Sequence, residues 1–348
     1  MYGPTFKLRL AVCGILLLTG GLVTSCDDGH SSRAGWGNGR SAPGPTTSPP
    51  GPGDHHPAPP VGAGDPDAAV DPDAADDPDG GLLGDSAPLG RRHVVVISID
   101  GCRPDALVAA PAPNLINFGA QGVIAAQAYT IPYSFTLPSH SAMLSGYDME
   151  HHGVTWNAPL PELGYIKVPT IFSVAHAAGF RTVMIMGKDK FLTLQLPDTL
   201  DEVHEVGLDE DGITDTAVWV IEKGNFDLLF IHLPNPDLTG HATGWMSPQY
   251  LAKVAHADQL FARIKRALPA NATVIVTADH GGHDFGHGAD LEIDRHIPWM
   301  MGGPGIRKHT VIDKRVETMD TAATALKVLG LQLAPEAQGK PVDEAFAN

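Results

Sequence analysis

The sequence predicts an α/β fold with a mainly parallel central sheet and helices on both faces, and three observations carry that prediction. Short, continuous, β-branched runs recur between Arg91 and Asn348. Segments with apolar residues at helical spacing separate them. Clusters of Asp and His follow the runs directly, where ligands collect in a sheet of this kind.

The runs are "HVVVISI" (93 to 99), "RTVMIM" (181 to 186), "DLLFIHL" (227 to 233) and "TVIVTA" (273 to 278). Each has strand length and stays apolar, as expected of strands covered on both faces. Between them "APNLINFGAQG", "PTIFSVAHAAG", "SPQYLAKVAHADQLFARIKRAL" and "VETMDTAATALKVLG" read as helices, with Pro near the start or Gly at the end.

The residues ahead of the first run have a different character. Lys7 and Arg9, an apolar run from Leu10 and the small residues before Cys26 read as a secretory signal peptide over 1–26. That run is too short for an easy membrane span, which takes about 20 apolar residues. Val23 to Cys26 resemble a bacterial lipobox, which implies that Cys26 is lipidated and becomes the mature N-terminus. The other reading is an ordinary cleaved signal with Cys26 incidental. Residues 27–90 are Pro, Gly, Ala and Asp with almost no aromatic or β-branched residues, too little apolar surface to offset chain entropy. This stretch is expected to be a disordered tether, with His55 and His56 solvated. The expected organisation is thus 1–26 leader, 27–90 linker and 91–348 folded domain. The expected location is the bacterial cell envelope, lipid-anchored and facing the periplasm or the surface.

Much of the formal net charge of -17 lies in the linker, and no basic stripe relieves it, so nucleic-acid binding is not expected. Of the three cysteines only Cys102 falls in the folded part, which therefore forms no internal disulfide.

The chemistry concentrates at three run ends. The first run leads into Asp100, the third into Asp237 and His241, and the fourth into Asp279, His280, His283 and His287. Mixed Asp and His ligands without thiolate suit zinc, or less specifically manganese or iron. Two ions need about six or seven protein ligands, and Asp100, Asp237, His241, Asp279, His280 and His287 supply six. Two-metal sites typically serve displacement at phosphorus. A nucleophile is then expected near a helix start, and Thr136, ahead of Leu137-Pro138, is the candidate; its plain alternative is a helix N-cap. Asn157 offers an amide donor to a phosphoryl oxygen, and Lys188 or Lys190 a cation for a substrate anion, with a solvated surface pair as the alternative.

The blocks "ISIDGCRPD", "FTLPSHSAMLSGYDMEHHGVTWN", "PNPDLTGHATG", "TADHGG" and "GHG" resemble, in order, those of the alkaline phosphatase superfamily, and within it the nucleotide pyrophosphatase/phosphodiesterase group. The resemblance implies an α/β fold with two zinc ions. Asp100, Thr136, Asp279 and His280 match residues around one ion, and Asp237, His241 and His287 ligands of the other. Thr136 matches a nucleophile that is transiently phosphorylated, and Asn157 the amide that binds a phosphoryl oxygen. Asp279 and His287 are only eight apart, a much shorter spacing than in the nucleotide-hydrolysing members, which removes possible substrate contacts; no aromatic nucleobase clamp can be placed either, so a nucleotide substrate does not follow. His287 is preferred to His283 as the last ligand because of the block that follows it. His283 is then a supporting residue or a substrate contact.

"CRPDA" around Cys102 approaches a sulfatase pattern but has Ala106 where arginine is needed, so Cys102 reads as packing. Trp156, Trp245 and Trp299 flank the blocks and read as core or pocket wall. His93, His176, His256 and His309 read as structural or exposed, without carboxylate company. The function expected is hydrolysis of small-molecule phosphate esters, most of all diesters, through a phosphorylated threonine. The alternatives are a phosphomonoesterase or phosphonate hydrolase on the same scaffold and, from another class, a surface-tethered metal-binding protein without catalysis.

Overall fold

The first run forms β1 (His93–Ile99), in which every residue from Val94 to Ile99 is buried. Since alternate side chains point to opposite faces, burial of them all means that both faces are covered. Each buried Val or Ile contributes about 1.5–3 kcal/mol by leaving water. The computed structural model describes residues 92–347, and the expected leader, linker and Cys26 lie outside the described residues.

The remaining strands are β2 (Val123–Ala125), β3 (Ala128–Tyr129), β4 (Thr182–Met186), β5 (Glu202–Glu205), β6 (Leu228–Leu233), β7 (Ala272–Thr277), β8 (Trp299–Gly302), β9 (Thr310–Ile312) and β10 (Val316–Glu317). Eight of them form one sheet in the order β5-β4-β6-β1-β7-β8-β2-β9, and β10 pairs with β3 separately. Neighbours from β5 to β7 are parallel, while β8 runs antiparallel to both β7 and β2. The four expected strands are therefore the four adjacent central ones. The carboxyl ends of β4, β6, β1 and β7 share one edge.

The helices are α1 (Pro104–Ala109), α2 (Pro113–Gln121), α3 (Thr136–Ser145), α4 (Met149–His152), α5 (Ile171–Ala177), α6 (Glu210–Glu222), α7 (Asn235–Thr243), α8 (Pro248–Ala267), α9 (Glu292–Arg295) and α10 (Asp320–Val328). α8 gathers α1, α2 and α6 into one layer, whereas α10 packs with α3 and α5 over β1 and β7. The sheet is thus covered on both sides, as expected.

One helix boundary differs from expectation. Val316 and Glu317 pair with Ala128 and Tyr129 as strand β10, and the helix starts only at Asp320. Asp320 accepts a hydrogen bond from the Glu317 backbone N–H at 2.9 Å, which holds the turn between strand and helix.

Candidate metal centre

Parallel pairing places the run ends together. Ser98 on β1 is paired with Thr277 on β7, so Asp100 and Asp279 leave adjacent strands side by side, both fully buried. Across β1, the chain leaving β6 turns at Pro234 into α7, which carries Asp237 and His241 on one face. Gly101, with φ of 68°, lets α7 approach: a Cβ there would lie 2.9 Å from Asp237 Cα. After β7, a short loop supplies His280 and His287, whose rings stack at 3.6 Å with an interplanar angle of 11°.

Hydrogen bonds fix how these side chains point. His280, His287 and His241 each donate Nδ1–H to a backbone carbonyl, those of Gly281 (2.8 Å), Ser134 (2.9 Å) and Phe285 (2.9 Å). Each therefore presents an unprotonated Nε2 to the carboxylates. His280 Nε2 lies 3.2 Å from Asp279 Oδ2, 3.4 Å from Asp100 Oδ1 and 4.0 Å from Asp237 Oδ1. His241 and His287 Nε2 lie 3.4 and 3.5 Å from Asp237 Oδ1. Those three carboxylate oxygens are buried and accept no hydrogen bond. Lone pairs facing lone pairs in a buried space fit a divalent cation. Asp100, Asp279 and His280 form one triplet and Asp237, His280 and His287 another, the ligand atoms of each within 4.8 Å of one another. His280 belongs to both triplets, and His241 flanks the second.

The opposite oxygens are held by a cation of the chain itself. Lys188, just past β4, sends its ammonium between Asp100 Oδ2 (2.6 Å) and Asp237 Oδ2 (2.7 Å). Burial works against its charge, but the two carboxylates outweigh burial and raise its pKa. Burial likewise opposes the Asp100 carboxylate, while Lys188 and then His232 hold it well below the usual range. Asp279 has no such partner, and burial followed by the charge of Asp100 pushes its carboxyl well above the usual range. Burial, aided by His280, drives the His287 imidazole down to about 2, so it stays neutral as a ligand must.

Thr136 opens α3, with Phe135 rather than Thr136 in the N-cap position. Its hydroxyl lies 3.3 Å from His280 Nε2, inside the ligand cluster. The plain expectation of an N-cap is therefore replaced by a hydroxyl facing the site. Asn157 Oδ1 accepts from Leu137 N–H (2.9 Å) and from Lys190 Nζ (3.1 Å), which leaves the NH2 end of the amide for the cleft. Thr136, Asn157, Lys190, Asp237, His241 and His287 line a cleft of about 520 Å³. His283 stands apart from both triplets, with Nδ1 on Asp294 Oδ1 at 2.7 Å.

Other expectations resolve locally. Cys102 is fully buried and burial first, then Asp105 and Asp279, push its thiol up to about 12, which leaves it inert packing. Trp299 is core, whereas Trp245 donates to Gly101 O (2.9 Å) and sets its ring against His241 and His287 as a wall of the site. Trp156 packs part-buried against the core. His176 and His256 do have carboxylate company, Asp201 at 3.3 Å and Asp211 at 3.2 Å, because folding brings in partners 25 and 45 residues away.

Two buried histidines escaped sequence reasoning. His232 accepts from Gly187 N–H and donates Nε2–H to Asp100 Oδ2 at 2.8 Å. His140 accepts from Ser98 at Nε2 (2.8 Å) and points Nδ1 at Thr136 O (2.8 Å) and Asp279 Oδ2 (3.3 Å). The signals were present: a lone imidazole inside the apolar run "LLFIHL", and one a helical turn after Thr136.

With this strand order and a cluster at the carboxyl edge, the described residues have the fold of the alkaline phosphatase superfamily. The profile described as type I phosphodiesterase / nucleotide pyrophosphatase matches residues 94–292, more than half of the 348-residue chain, and the chain belongs to that family. It is 23% identical over 230 residues to ectonucleotide pyrophosphatase/phosphodiesterase family member 5 of Homo sapiens, covering 60% of this chain and 48% of the relative. It is 27% identical over 215 residues to a 2,3-bisphosphoglycerate-independent phosphoglycerate mutase of Nostoc punctiforme, covering 58% of this chain and 39% of that one. The chain thus spans less than half the length of either curated relative. Among solved structures, murine ectonucleotide pyrophosphatase/phosphodiesterase 5, an inactive threonine-to-alanine form in complex with AMP, superposes with a TM-score of 0.65. That alignment has 17% identity and covers 74% of this chain and all of the other, a likeness of fold.

Proposed function

We propose that the chain is a two-metal hydrolase of phosphate diesters that works through a phosphorylated Thr136. The observation that carries the reading is the meeting of three orphaned carboxylate oxygens, three Nε2 lone pairs and one threonine hydroxyl in a single cluster at the carboxyl edge of the sheet. Asp100, Asp279 and His280 would hold one ion and Asp237, His241 and His287 the other, with zinc the best match to these ligands. Bound ions would supply Lewis acidity for the attacking and leaving oxygens and reverse the acidic field of the cleft.

The chain's own part is positioning. α3 aims the Thr136 hydroxyl from its first turn, where backbone amides favour a phosphoryl oxygen. The Asn157 NH2 donates to an oxygen that gains charge as Thr136 Oγ gives up its proton and bonds to phosphorus, while the ester oxygen leaves with its electron pair and takes a proton from solvent. Water then bonds to phosphorus, the Thr136 Oγ–P bond breaks with a water proton restoring the threonine hydroxyl, and a phosphate monoester is freed. His140 steadies the turn by its bond to Thr136 O. The murine relative is described as inactive in its threonine-to-alanine form, which is in keeping with a threonine nucleophile. Lys190 favours a second reading, a monoester or phosphonate, whose additional anionic oxygen would meet its ammonium beside Asn157. The buried bridge made by Lys188 supports positioning of carboxylates, and its place in the lining of the cleft keeps the substrate contact expected from sequence within reach. The reading includes export and a lipid anchor at Cys26, supported by the leader's composition.

Thr136→Ala is expected to abolish hydrolysis of bis-p-nitrophenyl phosphate while zinc content stays nearly intact. Undiminished turnover would remove Thr136 from the mechanism. Assaying p-nitrophenyl phosphate and phosphonoacetate beside the diester separates the two readings.

A further inference from the structure

We propose that Asp294 is the positioning residue of the metal centre's loop, and that His283 serves it as a clamp partner. The inference rests on the reading of His280 and His287 as ligands. The loop that delivers both contains Gly281, Gly282, Gly286 and Gly288, so its backbone has little stiffness of its own. Asp294, on the short helix α9, is fully buried, and it grips the loop at three points. Its carboxylate accepts His283 Nδ1–H at Oδ1 (2.7 Å) and Ala289 N–H at Oδ2 (3.1 Å). Its backbone carbonyl accepts Gly281 N–H at 2.7 Å, and the neighbouring Ile293 carbonyl accepts Gly282 N–H at 3.3 Å.

The grips bracket the ligands. Gly281 follows His280, Ala289 follows His287 by two residues, and His283 lies between them. One buried residue, through its backbone carbonyl at Gly281 and its carboxylate at His283 and Ala289, therefore sets how far apart the two ends of the loop lie, and with them the stacked rings of His280 and His287. The close fit supports this: a Cβ on Gly281 would come within 2.2 Å of the Ile293 carbonyl. His283 has spent its Nδ1 on Asp294 and belongs to neither triplet.

The test measures zinc affinity of the full chain by competition with a chelator, for wild type, Asp294→Asn, His283→Gln and the double variant. Melting of the metal-free chains is followed in parallel. Asparagine retains one acceptor and turns an NH2 toward the other donor, so Asp294→Asn is expected to weaken zinc binding by about 10–100-fold. His283→Gln is expected to weaken it less, and the double variant no more than Asp294→Asn. Turnover of Asp294→Asn should return to within a few-fold of wild type at saturating zinc, which a purely structural lesion would not allow. Wild-type affinity in Asp294→Asn overturns the clamp and leaves the metal centre standing. A wild-type chain that binds no zinc overturns both. If Asp294→Asn does not fold, His283→Gln, at a part-exposed side chain, decides: unchanged zinc affinity there overturns the clamp.

Discussion

The two halves of the candidate metal centre are built differently. Asp100, Asp279 and His280 sit at the ends of adjacent central strands and are fully buried, so the sheet itself sets their spacing. Asp237, His241 and His287 come from a helix and a glycine-rich loop, and the His241 side chain is 45% exposed. The inner half is rigid and electrostatically strained, because burial and then the charge of Asp100 oppose the Asp279 carboxylate. The outer half is more exposed and depends on supports: Lys188, Glu210 of α6, bonded to the first residue of α7, and Asp294. Strain falls where the scaffold is stiffest, as expected of sites that trade stability for function.

Substitutions sharpen that contrast. The largest effect on activity is expected from Asp279→Asn. With burial and Asp100 both acting against its ionised form, the variant should lose diester turnover and one zinc ion while its metal-free form melts higher than wild type. A fall in the melting temperature would contradict the strain assigned to the inner half.

Lys188→Met tests the bridge between halves. It leaves the Asp100 and Asp237 carboxylates buried without their cation, and breaking such a pair costs about 3–5 kcal/mol. Denaturant unfolding of the metal-free chain would show that loss, and zinc should recover part of it. An unchanged midpoint would mean that the bridge carries no weight.

Glu210 tests the outer half through pH. It accepts from Asn235 N–H at 2.8 Å, at the first turn of α7, and burial raises its carboxyl from 4.5 to about 7. The folded state then binds more protons than the unfolded one between those values, so stability falls as pH rises through that window and levels off above it. The loss is about 3 kcal/mol at most. Glu210→Gln should flatten this slope in urea titrations of the metal-free chain, and a slope as steep as wild type would assign it to other groups.

How much was legible in the sequence follows the same division. The central strands were readable because burial on both faces makes "HVVVISI" and "TVIVTA" continuously apolar. The outer strands were not: β5 alternates "EVHE" at an edge, and β2, β3, β9 and β10 are too short to show a period. Ligand candidates stood out as Asp and His at strand ends. Their supports stood out less, since Glu210, His140 and His232 reach Asn235, Ser98 and Asp100 across 25, 42 and 132 residues that only the topology closes, and Asp294 sits on a helix of four residues.

The most direct test of two metal half-sites is elemental analysis of the dialysed full chain, with bis-p-nitrophenyl phosphate hydrolysis assayed on the same sample. Two zinc ions per chain in the wild type are predicted, with turnover abolished by EDTA and restored by zinc. One ion or none in a folded, dialysed sample would contradict the ligand assignment, and the proposed mechanism with it.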